Sequence, residues 1–282
     1  MKGFLSYFAG RYIAGDERGE AIEVARELNT HSIVATIDNL GENVKDEKEA
    51  EESVVEYLAL INDIKETGVQ STISLKLTHM GLDISEELAE KNTETIIKEA
   101  GKLKKFARVD MEGSRYTQRT VDTVVRLHEK HENVGVAIQT CLRRSRADVK
   151  LLIEKGISVR LVKGAYKEPP DIAYPDKKDV DESYSTLMKE LLLKGNRPAI
   201  ATHDERLIEE ARRFVEENGI SRSGFEFQML LGIRRTLQKE LARDGYIVRV
   251  YVPYGPNWMA YIMRRLKERK ENVYFVMRHV FD

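Results

Sequence analysis

Short apolar runs that end in polar or charged residues recur along this chain, and each is followed by a longer stretch with apolar residues at helical spacing. The runs are SIVATIDNLGE (32–42), TISLKL (72–77), ARVDME (107–112), VGVAIQT (134–140), SVRLVKGAY (158–166), PAIATHDE (198–205), FEFQML (225–230) and IVRVYVPYG (247–255). Eight such units predict an α/β fold, a (β/α)8 barrel of the TIM type, which carries its chemistry at the C-terminal ends of its strands. Those ends hold Asp38, Lys76, Asp110, Gln139, Arg160 with Lys163, Thr202 with His203, Gln228 and Tyr251. Packing requires none of these residues, so they mark the candidate site as well as the fold.

Between the strands, apolar periodicity predicts helices. The stretch from Glu47 places Val54, Val55, Leu58 and Leu60 on one stripe and stops at Gly68, a C-cap, while the stretch from Ser85 opens on that serine as N-cap. Stretches from Glu205 and from Leu187 stop at Gly219 and Gly195. Residues 1–30 read as a helical extension broken near Gly15 and Asp16, and residues 31–282 as the barrel. One connection is too long for its job: AYKEPPDIAYPDKKDVDES, after the fifth strand, carries Pro169, Pro170 and Pro175. Such an excursion at a catalytic face usually covers a ligand.

Composition narrows the picture. A chain of 282 residues fits one barrel of roughly 250 residues with a short addition. The 46 basic and 47 acidic residues nearly cancel, which argues against a nucleic-acid partner or a polybasic membrane patch. One cysteine excludes an internal disulfide and a cysteine-based zinc site, and no metal site is expected. The high charged fraction suits a heat-adapted cytosolic protein. No apolar run reaches the ~20 residues that span a bilayer and no signal-peptide core is visible, so a cytoplasmic protein is expected.

Alternation puts Ser74 and Lys76 on the face opposite Ile73, Leu75 and Leu77, so Lys76 lies inside the barrel and needs an anionic partner. Asp110 is within reach. The pair reads either as a structural ion pair or as one that also touches ligand. Arg160, Lys163 and Gly164 put two cations and a backbone amide at one strand end, suited to phosphate or an electron-rich ring, against a plain solvated turn. His203 is weighed against an ordinary core histidine. In the last unit Tyr251 closes the strand, Pro253 and Gly255 turn, and Asn257 opens a helix bearing Arg264 and Arg265. Adjacent guanidinium forks can seize a carboxylate, with Glu268 four residues after Arg264 to orient it; a surface arginine pair is the plain alternative.

RLVKGAY (160–166), ATHDE (201–205), FEFQMLLGI (225–233) and VYVPYG with the downstream MRRL (250–266) resemble proline dehydrogenase, as do SLKLTHMGLDIS (74–85) and VDMEGS (109–114), in the same order. The resemblance is to the monofunctional bacterial or archaeal form. It implies a distorted (β/α)8 barrel that holds FAD at the strand ends, oxidises L-proline to 1-pyrroline-5-carboxylate, and passes electrons to a membrane quinone. It implies that Arg264, Arg265 and Lys76 bind the proline carboxylate, that Asp110 holds Lys76, and that Leu230, Tyr251 and Tyr166 pack the ring. Arg160 would stand by flavin N5. Gln139, Lys163, Gly164, Ala165, Thr202, His203 and Gln228 would bind FAD, with Glu268 on the cofactor side. A peripheral position at the membrane and a homo-oligomer are compatible with it. The chain departs from the family at Cys141, commonly an aromatic, and at Asp204, commonly Asn. Two other readings share the fold: a Schiff-base aldolase or lyase with Lys76 or Lys163 as nucleophile, and a non-catalytic ligand-binding barrel.

Overall fold

Eight parallel strands, each apolar on the side that meets the helices, close on themselves in chain order. A computed structural model describes residues 10–258 and residue 261. Arg264, Arg265 and Glu268 therefore lie outside the described residues. The strands are β1 (Val34–Asn39), β2 (Ser71–Leu75), β3 (Ala107–Val109), β4 (Val134–Gln139), β5 (Ser158–Val162), β6 (Ala199–Ala201), β7 (Glu226–Leu230) and β8 (Ile247–Tyr254). β8 pairs back to β1 in parallel register from Val34↔Arg249 to Asn39↔Tyr254, which closes the barrel. Every predicted strand is present.

Among the described residues one helix, α1 (Arg18–Thr30), precedes the barrel. The strand connections then carry α2 (Glu47–Thr67), α3 (Glu86–Lys102), α4 (Ser114–His128), α5 (Ser145–Glu154), α6 (Lys177–Lys194), α7 (Glu205–Glu217) and α8 (Arg235–Arg243). Local chemistry sets several ends. Asp46 and Ser85 accept from the third backbone N–H of α2 and α3, and Gly68 ends α2 in the left-handed region at φ 70.

Three expectations need correcting. In α2 the buried face is Ala50, Ser53, Tyr57, Leu60, Ile61 and Ile64, while Val55 is 65% exposed. Steps of three and four residues from Ala50 give that stripe, and Val55 falls between its rows. α6 starts at Lys177, ten residues ahead of the expected Leu187, so the proline-rich connection ends at Asp176. Val180, Tyr184, Leu187, Met188 and Leu191 are its buried face, and Lys177 pairs with Asp181 one turn on. α7 stops at Asn218, with Gly219 behind it at φ 63.

The main core lies between strands and helices, where Ile37, Leu75, Val109, Val136, Leu161, Phe227 and Val250 are all sealed from solvent. Each such side chain contributes about 1.5–3 kcal/mol. The interior of the barrel is different, because it is charged. Arg249 reaches across four strands: its Nε and Nη2 donate to Glu226 on β7 at 2.9 Å, and its Nη1 donates to the Ala35 carbonyl on β1 at 2.8 Å and to Thr72 Oγ1 on β2 at 3.2 Å. Arg108 donates to the Ser158 carbonyl at 2.6 Å, and burial, with Arg160 and Arg249 nearby, pushes it down to about 9. These contacts fill the lower barrel. The next layer, toward the C-terminal ends, is the candidate site.

Candidate active site

β1, β2 and β3 end in acid, base and acid. Lys76 follows the last residue of β2, and its side chain is 10% exposed. Its Nζ donates to Asp38 Oδ2 at 2.8 Å and stands 3.9 Å from Asp110 Oδ2. Lys76 thus pairs with Asp110 as expected, but its nearer partner is Asp38, from the adjacent strand. Burial pulls the Lys76 ammonium down, but Asp38 and Asp110 together outweigh it and hold the group above its ordinary value. Asp38, fully buried, is pushed up by that burial.

Asp110 is committed elsewhere. Arg160 Nη1 donates to its Oδ1 at 2.5 Å, and Tyr251 Oη donates to its Oδ2 at 2.8 Å. Arg160 Nη2 also donates to Ser74 Oγ at 2.9 Å, and its guanidinium lies over the Tyr251 ring at 5.5 Å from the centroid. The Arg160 Nε is buried with no partner among the described residues. A buried donor left in that state is costly unless something absent from the chain accepts from it. Arg160 does point inward, as alternation predicts. Tyr251 lies within β8, which runs on to Tyr254, so it enters the site from the barrel wall.

A second group gathers at β4, β5 and β6. Gln139 Nε2 donates to the Glu112 carbonyl at 2.9 Å, and its Oε1 accepts from Ala165 N at 3.2 Å. Gly164 sits at φ 119, and a Cβ there would stand 2.3 Å from Cys141 Sγ, so the turn favours glycine and any side chain there is strained. Lys163 is clamped between Asp181 Oδ1 at 2.6 Å and Asp204 Oδ2 at 2.8 Å. Lys177 and Arg206 also reach Asp181, at 2.6 and 3.1 Å. Burial pushes both carboxyls up, but Lys163 and Lys177 outweigh it and hold them below their ordinary range.

Thr202 and His203 follow β6; Thr202 Oγ1 accepts from Asp204 N at 3.1 Å, and His203 Nε2 accepts from Leu230 N at 2.9 Å, which links that histidine to the end of β7. Gln228 is not at a strand end. It lies in the middle of β7 and donates to Glu226, one layer down. Tyr166, on the connection after β5, is close enough to Lys76 to act on it electrostatically. That connection is strapped at two places. Glu168 accepts from Ser114 N at 2.8 Å, at the start of α4, and Tyr174 N donates to the Cys141 carbonyl at 2.8 Å.

Sequence reasoning missed several participants. Asp38 was seen only as a strand end. His79, 7% exposed, packs edge-on to Tyr57 and fills the space beside Gly41. Tyr12 and Ile13 form a small core with Leu40, Ile233 and Tyr261, against which Leu230 packs, so the segment before α1 walls the mouth beside β7. Only the apolar character of Tyr12 and Ile13 hinted at this.

A closed parallel barrel with buried, paired charges at its C-terminal mouth has the build of a (β/α)8 enzyme. Comparison with known proteins says which kind. The profile of the family described as proline dehydrogenase matches residues 21–278. Proline dehydrogenase 1 of Bacillus subtilis subsp. natto is 42% identical over 272 residues, covering 96% of this chain and 90% of that protein. Proline dehydrogenase of Deinococcus radiodurans is 39% identical over 275 residues, covering 96% and 89%. Among solved structures, proline utilization A (PutA) from Bdellovibrio bacteriovorus, inactivated by N-propargylglycine, aligns with a TM-score of 0.87 at 28% identity. That alignment covers 94% of this chain and 33% of PutA, so the chain spans about a third of that protein. The chain belongs to the proline dehydrogenase family, oxidoreductases that act on proline.

The aldolase reading loses its nucleophile at this site. Lys76 and Lys163 are each ion-paired with two carboxylates, and Lys76 is held charged, the opposite of what a Schiff-base lysine needs.

Proposed function

We propose that this protein oxidises L-proline to 1-pyrroline-5-carboxylate with FAD as cofactor and a quinone as electron acceptor, as the first step toward glutamate. The observation that carries this reading is the pair of buried cations, Lys76 and Arg160, on either side of Asp110. Lys76 would seat the substrate carboxylate together with Arg264 and Arg265, and Leu230, Tyr251 and Tyr166 would enclose the ring. Arg160, tied to Asp110 and Ser74, would hold a fixed cation where negative charge develops on the cofactor. No protein nucleophile is required; the residues orient the reactants and exclude water.

The donor set fits a flavin dinucleotide. The buried Arg160 Nε, without a hydrogen-bond partner among the described residues, the Gln139 amide, the close-packed Gly164–Ala165 turn, Thr202 and His203 offer contacts for a ring and its ribityl chain. Lys163, Lys177 and Arg206 set three cations against Asp181 and Asp204, beside the start of α7, which suits a pyrophosphate. Gln228, and Glu268 from outside the described residues, would complete this set. Bound there, FAD supplies the hydride acceptor that the side chains lack.

Among the described residues no helix is long and apolar enough to cross a membrane. We infer a cytoplasmic protein that meets its quinone peripherally at the membrane face. A visible spectrum recorded before and after anaerobic addition of L-proline tests the reading. Bleaching of a flavin band is expected, and a protein that reconstitutes with FAD but is not bleached by proline overturns it. Arg264→Met or Arg265→Met should raise the proline KM by roughly one to two orders of magnitude with FAD content kept.

A further inference from the structure

We propose that Asp38 is a positioning residue for substrate binding: from β1 it fixes the Lys76 ammonium at the barrel mouth and so leaves Asp110 to Arg160 and Tyr251. The inference rests on the reading of Lys76 as a contact of the substrate carboxylate.

Geometry separates the two acids that face Lys76. Asp38 is fully buried and lies 2.8 Å from Nζ; Asp110 is 3.9 Å away with both oxygens already taken. Asp38 is itself held from behind. Tyr57 of α2, fully buried, donates to the Ser74 carbonyl at 2.9 Å and lies 3.4 Å from Asp38 Oδ1. A lysine ammonium has three donors on a stem with four rotatable bonds, and one strong acceptor removes most of that freedom. With one N–H on Asp38 and another toward Asp110, the third is left for an incoming carboxylate.

Charge makes the same distinction. Groups from several walls act there: Asp38 on β1, His79 on its own turn, Asp110 and Glu112 after β3 and Tyr166 after β5 act on Lys76 itself, while Tyr57 on α2, Arg160 on β5 and Tyr251 on β8 act on the Asp38 or Asp110 beside it. Burial is the largest influence on Lys76 and acts against its charge; Asp38 is the largest influence in favour of it. Without the Asp38 charge, the same burial acts on an ammonium whose nearest carboxylate among the described residues, Asp110, is shared with Arg160 and Tyr251.

The experiment uses the flavin-loaded protein with Asp38→Asn, which keeps size and hydrogen-bonding capacity, with Lys76→Met, and with both together. The probe is a five-membered-ring monocarboxylate lacking the ring nitrogen, and its dissociation constant is read from the flavin spectrum between about pH 6 and about pH 10. Asp38→Asn should weaken binding roughly tenfold at neutral pH, and the loss should grow as pH rises because the variant ammonium loses its proton earlier. In the Lys76→Met background the same change should cost less than about twofold. Unchanged binding in Asp38→Asn overturns the inference, as does a pH-independent loss that persists in the Lys76→Met background. Should Asp38→Asn fail to fold, Asp38→Glu serves: it keeps the charge and moves it, so binding should weaken without the growing loss at high pH, and wild-type affinity overturns the inference. If Lys76→Met alone leaves the probe's affinity unchanged, the reading of Lys76 as a substrate contact is what fails.

Discussion

The phenol of Tyr251 stands 2.8 Å from Oδ2 of Asp110, joining residues 141 positions apart across the barrel mouth. The other oxygen of Asp110 takes the Arg160 guanidinium, so one carboxylate organises a wall residue and a cation at once. Both contacts are largely buried, where a charge-assisted hydrogen bond is stronger than at the surface.

Removing only the hydroxyl isolates that contact. Tyr251→Phe keeps the ring against Arg160 and loses a hydrogen bond to a charged group, worth roughly 1.5–3 kcal/mol. We expect kcat/KM for proline to fall by roughly tenfold or more and melting to drop by a few degrees. Steady-state kinetics and a thermal scan check this, and wild-type values in both would mean that the phenol only fills space.

Arg160→Met leaves Asp110 buried without its nearest cation. Losing one partner of a buried pair costs about 3–5 kcal/mol when nothing else compensates; Tyr251 and the more distant Lys76 should hold the cost at the low end. Flavin reduction by saturating proline should slow more than folding suffers. Rapid mixing beside thermal melting gives both numbers, and an unchanged reduction rate would leave Arg160 a structural residue.

Gly164 should resist substitution. An alanine there must adopt φ 119 and would bring its Cβ to 2.3 Å from Cys141 Sγ. The backbone conformation alone costs about 1–3 kcal/mol. Gly164→Ala should therefore lower stability by roughly 2 kcal/mol or more and weaken flavin retention. Cys141→Ala in the same chain should recover the part due to the clash but not the backbone part. Flavin content after gel filtration and denaturant melts separate the two.

His79 should give the protein a pH dependence of stability. Burial, with Lys76 close by, pushes its imidazole down to about 4 from an ordinary 6.5. Between those values the unfolded chain binds a proton that the folded protein does not. Stability should thus be full above about pH 6.5 and be lost as pH falls toward about 4, by up to ~3 kcal/mol. Melting temperature against pH for His79→Gln should be flatter than wild type across that window; parallel curves would mean that other groups set the acid limb.

The strands were legible in the sequence because each is a short apolar run with a fixed alternation, and alternation alone puts Lys76 and Arg160 inside. What it could not give was sideways reach. The face of a residue follows from spacing, but its neighbour follows from the stagger between strands, and the register Asp38↔Ser74 was invisible until the barrel closed. Spacing alone therefore points from Lys76 to Asp110 and misses the closer Asp38. The start of α6 was hidden because Pro175, Asp176 and two lysines read as loop, although Asp176 stands in the N-cap position. The clamp on Lys163 is hidden for a related reason: Asp181 belongs to a turn of helix that the sequence pattern reads as part of the excursion.

The reach of Arg249 bears on how this chain can be made. Its guanidinium ties β8 to β7, β1 and β2 through Glu226, the Ala35 carbonyl and Thr72. As the polypeptide leaves the ribosome, β1 to β7 emerge with Glu226 lacking its counter-ion and the inner edges of β1 and β7 unpaired. A nascent chain halted before residue 247 should accordingly stay protease-sensitive and chaperone-dependent, and compaction should come as a late, single event once the eighth strand arrives.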